Sequence, residues 1–399
     1  MDSTTRRNVF ILWLAQTVSS AGDAVYHIAL MWLILDITGS SVATGFVAMS
    51  AYLPAIIFGL YAGVLADKYR RLSLMIISNL SQAVTVLIIP VLIYFQHEQA
   101  LAFGLLAFVR AAFGTLFPPS LNAFVPEMVS EKHLVRVNSI LVTSQQFAWF
   151  LGPAVAGFLL QWISVQSLFI ADATSFLVAI GFLLLVRKPR HVHVDHIKHS
   201  GLSELLNGLK FVAQHHFLGF LIVLTIINNL FIMGPALVGM PILVKNAFGG
   251  TVSDYAIVES FMALGMLTGS FLVYGFGRYF SSGKLLLIGM LLDGVTYSVF
   301  YWVSSVQAAW FFIFIHGIGI PLITISRTAL VQSYAPNKFH GRIFSMVHLA
   351  VVGVTALSSA LIGIIANQVA IQHIFFWIGL GAAACGVVGW FHPNMRHQE

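Results

Sequence analysis

The sequence predicts an all-α polytopic membrane protein, with about twelve transmembrane helices in two pseudo-symmetric six-helix bundles. Three observations favour this class: long apolar runs fill the 399 residues, 58% of residues are hydrophobic and only 9% are charged. A water-soluble chain of this length could not bury so much apolar surface in one core. A run of roughly 20 apolar residues crosses a bilayer as a helix, because lipid offers the backbone no hydrogen-bond partners.

Twelve runs are long enough to span a bilayer, and short polar gaps separate them. The first is much longer than the core of a signal peptide, so we interpret it as an uncleaved helix. The predicted spans are residues 8–36, 41–66, 73–95, 99–124, 137–162, 165–186, 217–244, 252–277, 284–304, 307–331, 344–367 and 372–391.

Lysine and arginine lie almost entirely in alternate gaps, from Arg6 and Arg7 before the first span to Arg396 after the last. The opposite gaps hold Lys245. Basic loops stay on the cytoplasmic side, so we expect both termini in the cytoplasm and the chain in a bacterial cytoplasmic (inner) membrane. Basic loops against anionic lipid also explain the net charge of +6, and no nucleic-acid partner is needed.

The two halves of the chain look like a duplication. The stretch SLNAFVPEMVSEKHLVRVNS from Ser120 aligns without gaps with SRTALVQSYAPNKFHGRIFS from Ser326. Each stretch leaves the cytoplasmic end of a predicted span, the fourth and the tenth. Repeated bundles of this kind place a substrate site between the repeats of secondary transporters.

The longest polar stretch separates these halves. We therefore predict an N-terminal bundle over 1–186, a cytoplasmic linker over 187–216 and a C-terminal bundle over 217–399. The linker contains an apolar stripe that predicts a short amphipathic helix on the membrane surface, formed by Leu202, Leu205, Leu206, Leu209 and Val212. Its four histidines could bind a metal, but a solvated linker is the favoured interpretation, since nothing fixes the geometry of His191, His193, His196 and His199.

The loop after the second span reads Gly63-Val-Leu-Ala-Asp67-Lys68-Tyr-Arg70-Arg71. It resembles the loop motif of the major facilitator superfamily, and Arg110-x-x-x-Gly114 resembles the motif in that family's fourth span. The resemblance covers essentially the whole chain. It implies a two-bundle transporter that rocks around a central site and is coupled to an ion gradient. It also implies that Gly63, Asp67 and Arg71 form a conformational latch at the cytoplasmic side.

Further stretches resemble the branch of this superfamily that holds macrolide and siderophore exporters. Gly152-Pro153 followed by Gly157 is similar to part of the fifth-span motif associated with export. Other similar stretches are Asp36-x-Thr38-Gly39-Ser40, Pro126 with Glu127, and Gly341-Arg342. What this resemblance implies is export rather than uptake.

Asp23 is the clearest candidate for chemistry, because an ionisable group near mid-membrane needs a partner, water or a function. Gln16, Ser20, Asp23 and His27 step by four, three and four residues and so share one helix face. We expect this polar stripe to line a wet cavity, although an interhelical hydrogen-bond network without a transport role would also explain it.

Arg110 cannot lose its proton, so we hypothesise that it pairs with Asp23 in one conformation. Separation of the pair would let Asp23 take up a proton and couple proton entry to transport.

The second half offers further candidates for the substrate cavity. At the repeat offset, Asn229 corresponds to Asp23 and His316 to Arg110, and Asn228 adjoins the first. Gly234-Pro235 in span seven and Gly317, Gly319 and Pro321 in span ten predict interrupted helices. Such interruptions would line a cavity or, equally, be kinks fitted to a neighbouring helix.

Three more buried acids need an interpretation. Glu259 is predicted to be a second protonation site or to attract cations, with a structural role as the alternative. Asp293 is interpreted as a structural hydrogen-bonding group in a peripheral span. Asp172 lies near the start of span six, so we interpret it as a helix cap.

These observations predict a secondary active transporter, a proton-coupled exporter of amphipathic small molecules that are drug-like or siderophore-like. The alternatives are a lipid or lysolipid transporter and a ferroportin-like metal exporter.

No nucleophile–base pair lies in the spans, so no enzyme is predicted. The glycine-rich Gly277–Lys284 has the wrong spacing for a phosphate loop, and the single cysteine excludes a cysteine-rich metal site. We expect no cofactor and no metal, and a monomer whose partners are the substrate, protons and membrane lipids.

Overall fold

A computed structural model describes residues 3–97, 99–187, 209–336 and 339–396. This part of the chain is all-α and contains no β-strand. The long helices are α1 (Ser3–Thr38), α2 (Ser41–Lys68), α3 (Arg71–Tyr94), α4 (Ala100–Gly114), α5 (Phe117–Met128), α6 (Glu131–Leu159), α7 (Val165–Leu184), α8 (His216–Gly234), α9 (Val252–Phe276), α10 (Ser282–Val299), α11 (Val306–Tyr334), α12 (His340–Ile365) and α13 (Ile371–Trp390).

Eleven helical segments of the described chain are long and apolar enough to cross a membrane. In this count α4 and α5 form one segment, and they meet where Pro118 and Pro119 begin a new helix. Helix α6 is a twelfth long helix, whose apolar character is diluted by polar residues that include Asn138 and Gln145. The predicted polytopic architecture is therefore confirmed.

Helices α9, α10 and α11 of the second half begin with side-chain caps. Thr251 and Asp254 form a capping box at the start of α9, and the side chains of Ser281 and Ser305 accept backbone N–H groups at the starts of α10 and α11. These caps satisfy N–H groups that a helix end leaves without partners.

The chain divides into two compact units. Unit 1 comprises Met1–Thr38 and Ser50–Lys198, and unit 2 comprises Gly39–Met49 and His199–Glu399. The boundaries predicted for the domains (1–186, 187–216 and 217–399) stay a prediction.

Each unit has the same internal packing order. In unit 1, α1 packs against α6 and α7, and α3 packs against α4, α5 and α7. In unit 2, α8 packs against α12 and α13, and α10 packs against α11 and α13. The first of the six spans in each unit therefore contacts the fifth and sixth spans of that unit, as a duplicated bundle requires.

Span seven is interrupted as predicted, and the interruption is fitted to a neighbouring helix. Helix α8 passes into π-helical turns at Pro235–Gly239 and Leu243–Ala247. The hydroxyl of Ser358, on α12, is inserted at this point: it accepts from the Gly234 N–H at 2.8 Å and donates to the Leu230 carbonyl at 2.6 Å. A side chain inserted into the backbone ladder is a known cause of such a break.

The interruption predicted for span ten is wrong, because α11 runs unbroken through Pro321. Its glycines allow close helix packing instead. A Cβ on Gly317 would clash with the Met262 carbonyl of α9, and one on Gly319 would lie 2.6 Å from Asp293 Oδ1 of α10.

Most of the predicted linker lies outside the described residues, including its four histidines and the leucines at 202, 205 and 206. The described end, 209–214, is helical. Val212 is buried in the apolar core of unit 2, and the Phe211 ring stacks on Phe339 with 4.3 Å between centroids. This turn therefore packs against protein, whereas Leu209 is exposed.

Candidate functional site

Unit 1 contains a cavity of about 590 Å³ that is lined by α1 to α7. The polar stripe predicted on α1 lies along its wall, because Gln16, Ser20, Asp23 and His27 all line it. Helical spacing of four, three and four residues keeps these side chains on one face. The volume lies within the range of small-molecule sites.

An arginine of α4 binds two carboxylates at this wall. Arg110 Nη2 donates to Asp23 Oδ1 at 2.5 Å and to Asp172 Oδ2 at 3.2 Å. The predicted pairing of Arg110 with Asp23 is thus present, and a second acid from α7 joins it. The Asp172 side chain is fully buried, whereas the Asp23 side chain is 32% exposed, so Asp23 is the accessible carboxylate of the cluster.

Aromatic rings cover the guanidinium of Arg110. Its carbon lies 3.7 Å from the centre of the Tyr26 ring and 5.4 Å from that of Phe176. A cation over an aromatic face is attracted by the ring quadrupole, more strongly where water is excluded. Arg110 Nε and Asp172 Oδ1 have no hydrogen-bond partner among the described residues, so this cluster retains capacity for water, a proton or a ligand.

The interpretation of Asp172 as a helix cap is wrong. Ser164 occupies the cap position of α7, and Asp172 lies two turns further along, facing α1 and α4. The sequence carried one signal for its role. A buried arginine has more N–H donors than one carboxylate uses, so a second acid can bind it. Asp172 is the acid of the sixth span.

Small residues hold Asp23 in place on both sides. A Cβ on Gly22 would clash with Ser175 and Asp172 of α7, and a Cβ on Gly152 would clash with Ala24. Helix α1 is therefore in direct contact with α7 and α6 on either side of Asp23. The residues of the predicted exporter motif, Gly152, Pro153 and Gly157, are buried in α6, and the first of them touches α1 at this point.

His27 closes one side of the cavity through polar and aromatic contacts. Its Nε2 lies 3.1 Å from the Tyr52 hydroxyl, and its ring meets the Trp149 ring edge to face at 5.8 Å. Both partners also line the cavity. His27 is therefore a wall residue that joins α1 to α2 and α6.

With this geometry established, comparison with known proteins gives the family. A sequence model of the transmembrane secretion effector family matches residues 3–396. The chain belongs to this family, a branch of the major facilitator superfamily.

Relatives across the full length of the chain are named as efflux proteins. Macrolide efflux protein A of Streptococcus pyogenes is 24% identical over 376 residues, which cover 93% of this chain and 92% of that protein. Multidrug efflux pump Tap of Mycolicibacterium fortuitum is 23% identical over 407 residues, which cover 100% and 99%. The sequence-based assignment to the macrolide exporter branch is confirmed, and the chain is a membrane transporter.

Solved structures of the major facilitator superfamily share the fold. The nucleoside transporter NupG superposes with a TM-score of 0.76 at 11% identity and covers all of both chains. A D-xylose-proton symporter superposes with a TM-score of 0.74 at 14% identity and covers 98% of each chain.

Of the three residues predicted to form a latch, Arg71 has an ion-pair partner within unit 1. Arg71, at the start of α3, forms an ion pair with Glu127 at the end of α5. Asp67 is exposed, and a Cβ on Gly63 would meet no atom within 4 Å. Within unit 1 the arginine of the motif is thus bound to Glu127, and a latch role for Gly63 and Asp67 stays a prediction.

The candidates in unit 2 do not line the unit 1 cavity. Asn228 is 3% exposed with Oδ1 unpartnered among the described residues, and Asn229 donates to the Thr225 carbonyl one turn back at 2.8 Å. Glu259 is buried in α9. Their predicted roles in substrate binding and proton coupling stay predictions.

His316 lies in a buried polar cluster between α10 and α11. Its ring stacks on Tyr297 with 4.0 Å between centroids, and its Nδ1 lies 3.1 Å from Thr296 Oγ1 and 3.7 Å from Asp293 Oδ1. The Thr296 hydroxyl also donates to the Leu292 carbonyl at 2.7 Å. Asp293 Oδ1 itself has no hydrogen-bond partner in the described chain, and the structural role expected for this acid stays a prediction.

Proposed function

We propose that the chain is a proton-coupled exporter of amphipathic small molecules that works by alternating access. The observation that carries this proposal is the cluster of Asp23, Arg110 and Asp172 in the wall of the unit 1 cavity. Two carboxylates share one arginine there, and one of the carboxylates is accessible from the cavity.

The charge of this cluster is what favours proton binding. With both acids ionised, the three side chains carry a net charge of −1, and one bound proton makes them neutral. A net charge in a low-dielectric setting costs several kcal/mol, so the neutral form is favoured wherever water is excluded. A conformational change that hydrates or dries the cavity would therefore release or take up one proton.

Asp23 is the group that we assign to the proton exchange, and Asp172 is the fixed acid. Asp23 lies on the cavity wall with part of its side chain exposed, whereas Asp172 is closed off behind Arg110. Protonation of Asp23 would loosen its bond to Arg110 and leave the guanidinium with Asp172. This exchange of partners supplies two states that substrate binding could bias.

Export is supported by the relatives named for macrolide and multidrug efflux and by the resemblance of Gly152-Pro153 and Gly157 to the motif associated with export. The metal-exporter alternative has less support, because the described residues contain no group of three metal-ligating side chains. A lipid substrate stays an alternative that transport assays decide.

The test is transport in everted membrane vesicles, with a panel of dyes and antibiotics that includes a macrolide, with and without an imposed pH gradient. We expect gradient-driven accumulation that Asp23→Asn abolishes, while exchange of substrate without a gradient persists. Asp36→Asn is the matched control, because it removes an acid of the same helix that does not line the cavity. Unchanged gradient dependence in Asp23→Asn would remove this acid from the coupling mechanism.

A further inference from the structure

The cavity of unit 1 is unusually rich in one functional group, the side-chain carboxamide. Six of its lining residues carry one: Gln16, Asn79, Gln82, Asn122, Asn138 and Gln145. A carboxamide is uncharged and presents a donor and an acceptor side by side. A wall of this kind is suited to a ligand that carries many neutral donors and acceptors.

Several polar atoms in the buried part of this wall have no partner. Among the described residues, Gln16 Oε1 lacks a donor, Asn79 Nδ2 lacks an acceptor, and the Tyr26 hydroxyl lacks both. These three side chains are 5%, 1% and 4% exposed. Buried polar atoms are normally hydrogen-bonded, and leaving one without a partner is unfavourable. All three residues line the cavity, so small movements of their side chains would present these atoms to water or to ligand groups.

The two charged lining residues form an ion pair. They are Asp23 and Arg110, and each is bound to the other. Among the buried atoms of uncharged lining residues, those without a partner in the described chain are thus an acceptor, a donor and a hydroxyl. A ligand hydroxyl matches all three, because it donates and accepts at the same time.

The exposed indole ring of Trp149 lies in the same cavity wall. Trp149 lines the cavity with 41% of its surface exposed, and His27 holds it edge to face. A flat indole surface packs well against the C–H face of a saturated ring. Amide groups around the hydroxyls of a ring and an aromatic surface against its face are together the chemistry that recognises a sugar.

We propose that unit 1 binds an uncharged, polyhydroxylated ring, such as a sugar, carried by the amphipathic substrate. Gln16, Asn79 and Tyr26 bind its hydroxyls from the buried part of the wall, Gln145 binds one from the exposed part, and Trp149 packs against its face. The inference rests on the proposed function only in naming which part of the substrate this cavity holds. The preferred substrates are therefore glycosylated amphiphiles.

Equilibrium binding to the full chain in lipid nanodiscs tests this without a proton gradient. The probes are 4-methylumbelliferyl β-D-glucoside and 7-methoxy-4-methylcoumarin, which share one fluorescent ring system and differ in the sugar. Equilibrium dialysis against empty nanodiscs corrects for partition into lipid. We expect the glucoside to bind at least about tenfold more tightly than the methoxy compound, as two or more additional hydrogen bonds would produce.

Three variants locate the binding. Gln16→Met and Gln145→Met keep side-chain length and remove hydrogen bonding, so each should weaken glucoside binding about 2- to 10-fold and leave the methoxy compound unchanged. Gln145 is exposed at the wall, so its replacement does not threaten folding even if Gln16→Met does. Gln146→Met is the matched control, because Gln146 is adjacent on α6 and does not line the cavity.

The outcomes separate this inference from the proposed function. Equal affinity for the two probes, or equal losses in Gln145→Met and Gln146→Met, would overturn the sugar site, even if a pH gradient drives dye efflux. Selective glucoside binding that Gln145→Met weakens and Gln146→Met does not would support the site, even if no gradient-driven transport is found.

Discussion

Asp172 Oδ2 lies 3.2 Å from Nη2 of Arg110, the same nitrogen that binds Asp23. The guanidinium is thus shared between an acid that faces the cavity and one that is fully buried. If Asp23 exchanges a proton as proposed, Asp172 should help to determine the pH at which it does so.

Replacement of Asp172 by Asn should shift the pH profile of gradient-driven efflux to lower pH. Removal of a neighbouring negative charge favours the ionised form of Asp23, so a proton binds it only at higher proton concentration. Initial efflux rates in vesicles, measured over a series of pH values, give the shift. Asp172→Glu retains the charge and should retain the profile. A lower rate in Asp172→Asn with the wild-type profile would assign Asp172 a structural role alone.

Asn8 should be a strong contributor to the stability of unit 1. Its side chain is 2% exposed and bonds the backbone of Arg187 twice, donating to the carbonyl at 2.9 Å and accepting the N–H at 3.2 Å. Asn8→Leu leaves both backbone groups without a partner, at a cost of about 1–3 kcal/mol. Thermal unfolding in detergent should show a lower Tm. Arg187→Ala keeps the bonded backbone and is the control, and equal losses in the two variants would contradict this explanation.

The ion pair between Arg71 and Glu127 ties the start of α3 to the end of α5. Both side chains are partly exposed, at 15% and 26%, so the pair should contribute no more than about 1 kcal/mol to stability. Transport is expected to be more sensitive, since this arginine belongs to the predicted latch. Glu127→Arg should lower the efflux rate through like-charge repulsion, and the double variant Arg71→Glu with Glu127→Arg should recover it. A double variant as slow as the single one would show that the pairing does not matter.

The pattern of the sequence predicted the features that depend on periodicity. The stripe on α1 lines the cavity because helical spacing alone places Gln16, Ser20, Asp23 and His27 on one face. The pairing of Asp23 with Arg110 follows from two opposite charges that both need a partner inside a bilayer.

Features that depend on tertiary packing were predicted poorly. The role of Asp172 is set by the contact of α7 with α4, which no local pattern encodes, so its position near a helix start suggested a cap. Gly317 and Pro321 suggested a break in span ten, but glycine in a membrane helix also allows a neighbouring helix to approach closely. Only the structure shows that Met262 and Asp293 occupy the space beside the glycines of α11.

The contact between Gly152 and Ala24 should control the position of Asp23. Gly152→Ala places a methyl group where the Ala24 side chain lies, so α1 and α6 must separate or rotate. Overpacking of this kind costs about 1–3 kcal/mol, and a small displacement of α1 also alters the bond of Asp23 to Arg110. We expect a lower Tm and a lower rate of gradient-driven efflux.

A second substitution separates packing from other effects of the alanine. Ala24→Gly removes the methyl group that the new side chain meets, so the double variant Gly152→Ala with Ala24→Gly should recover the Tm and the efflux rate in large part. Residues in contact show such coupling, with interaction energies of about 0.5–3 kcal/mol, whereas distant ones are additive. Gly181→Ala is the control, because a Cβ there meets no atom within 4 Å. Additive losses in the double variant would show that the exporter motif acts on transport by some route other than its contact with α1.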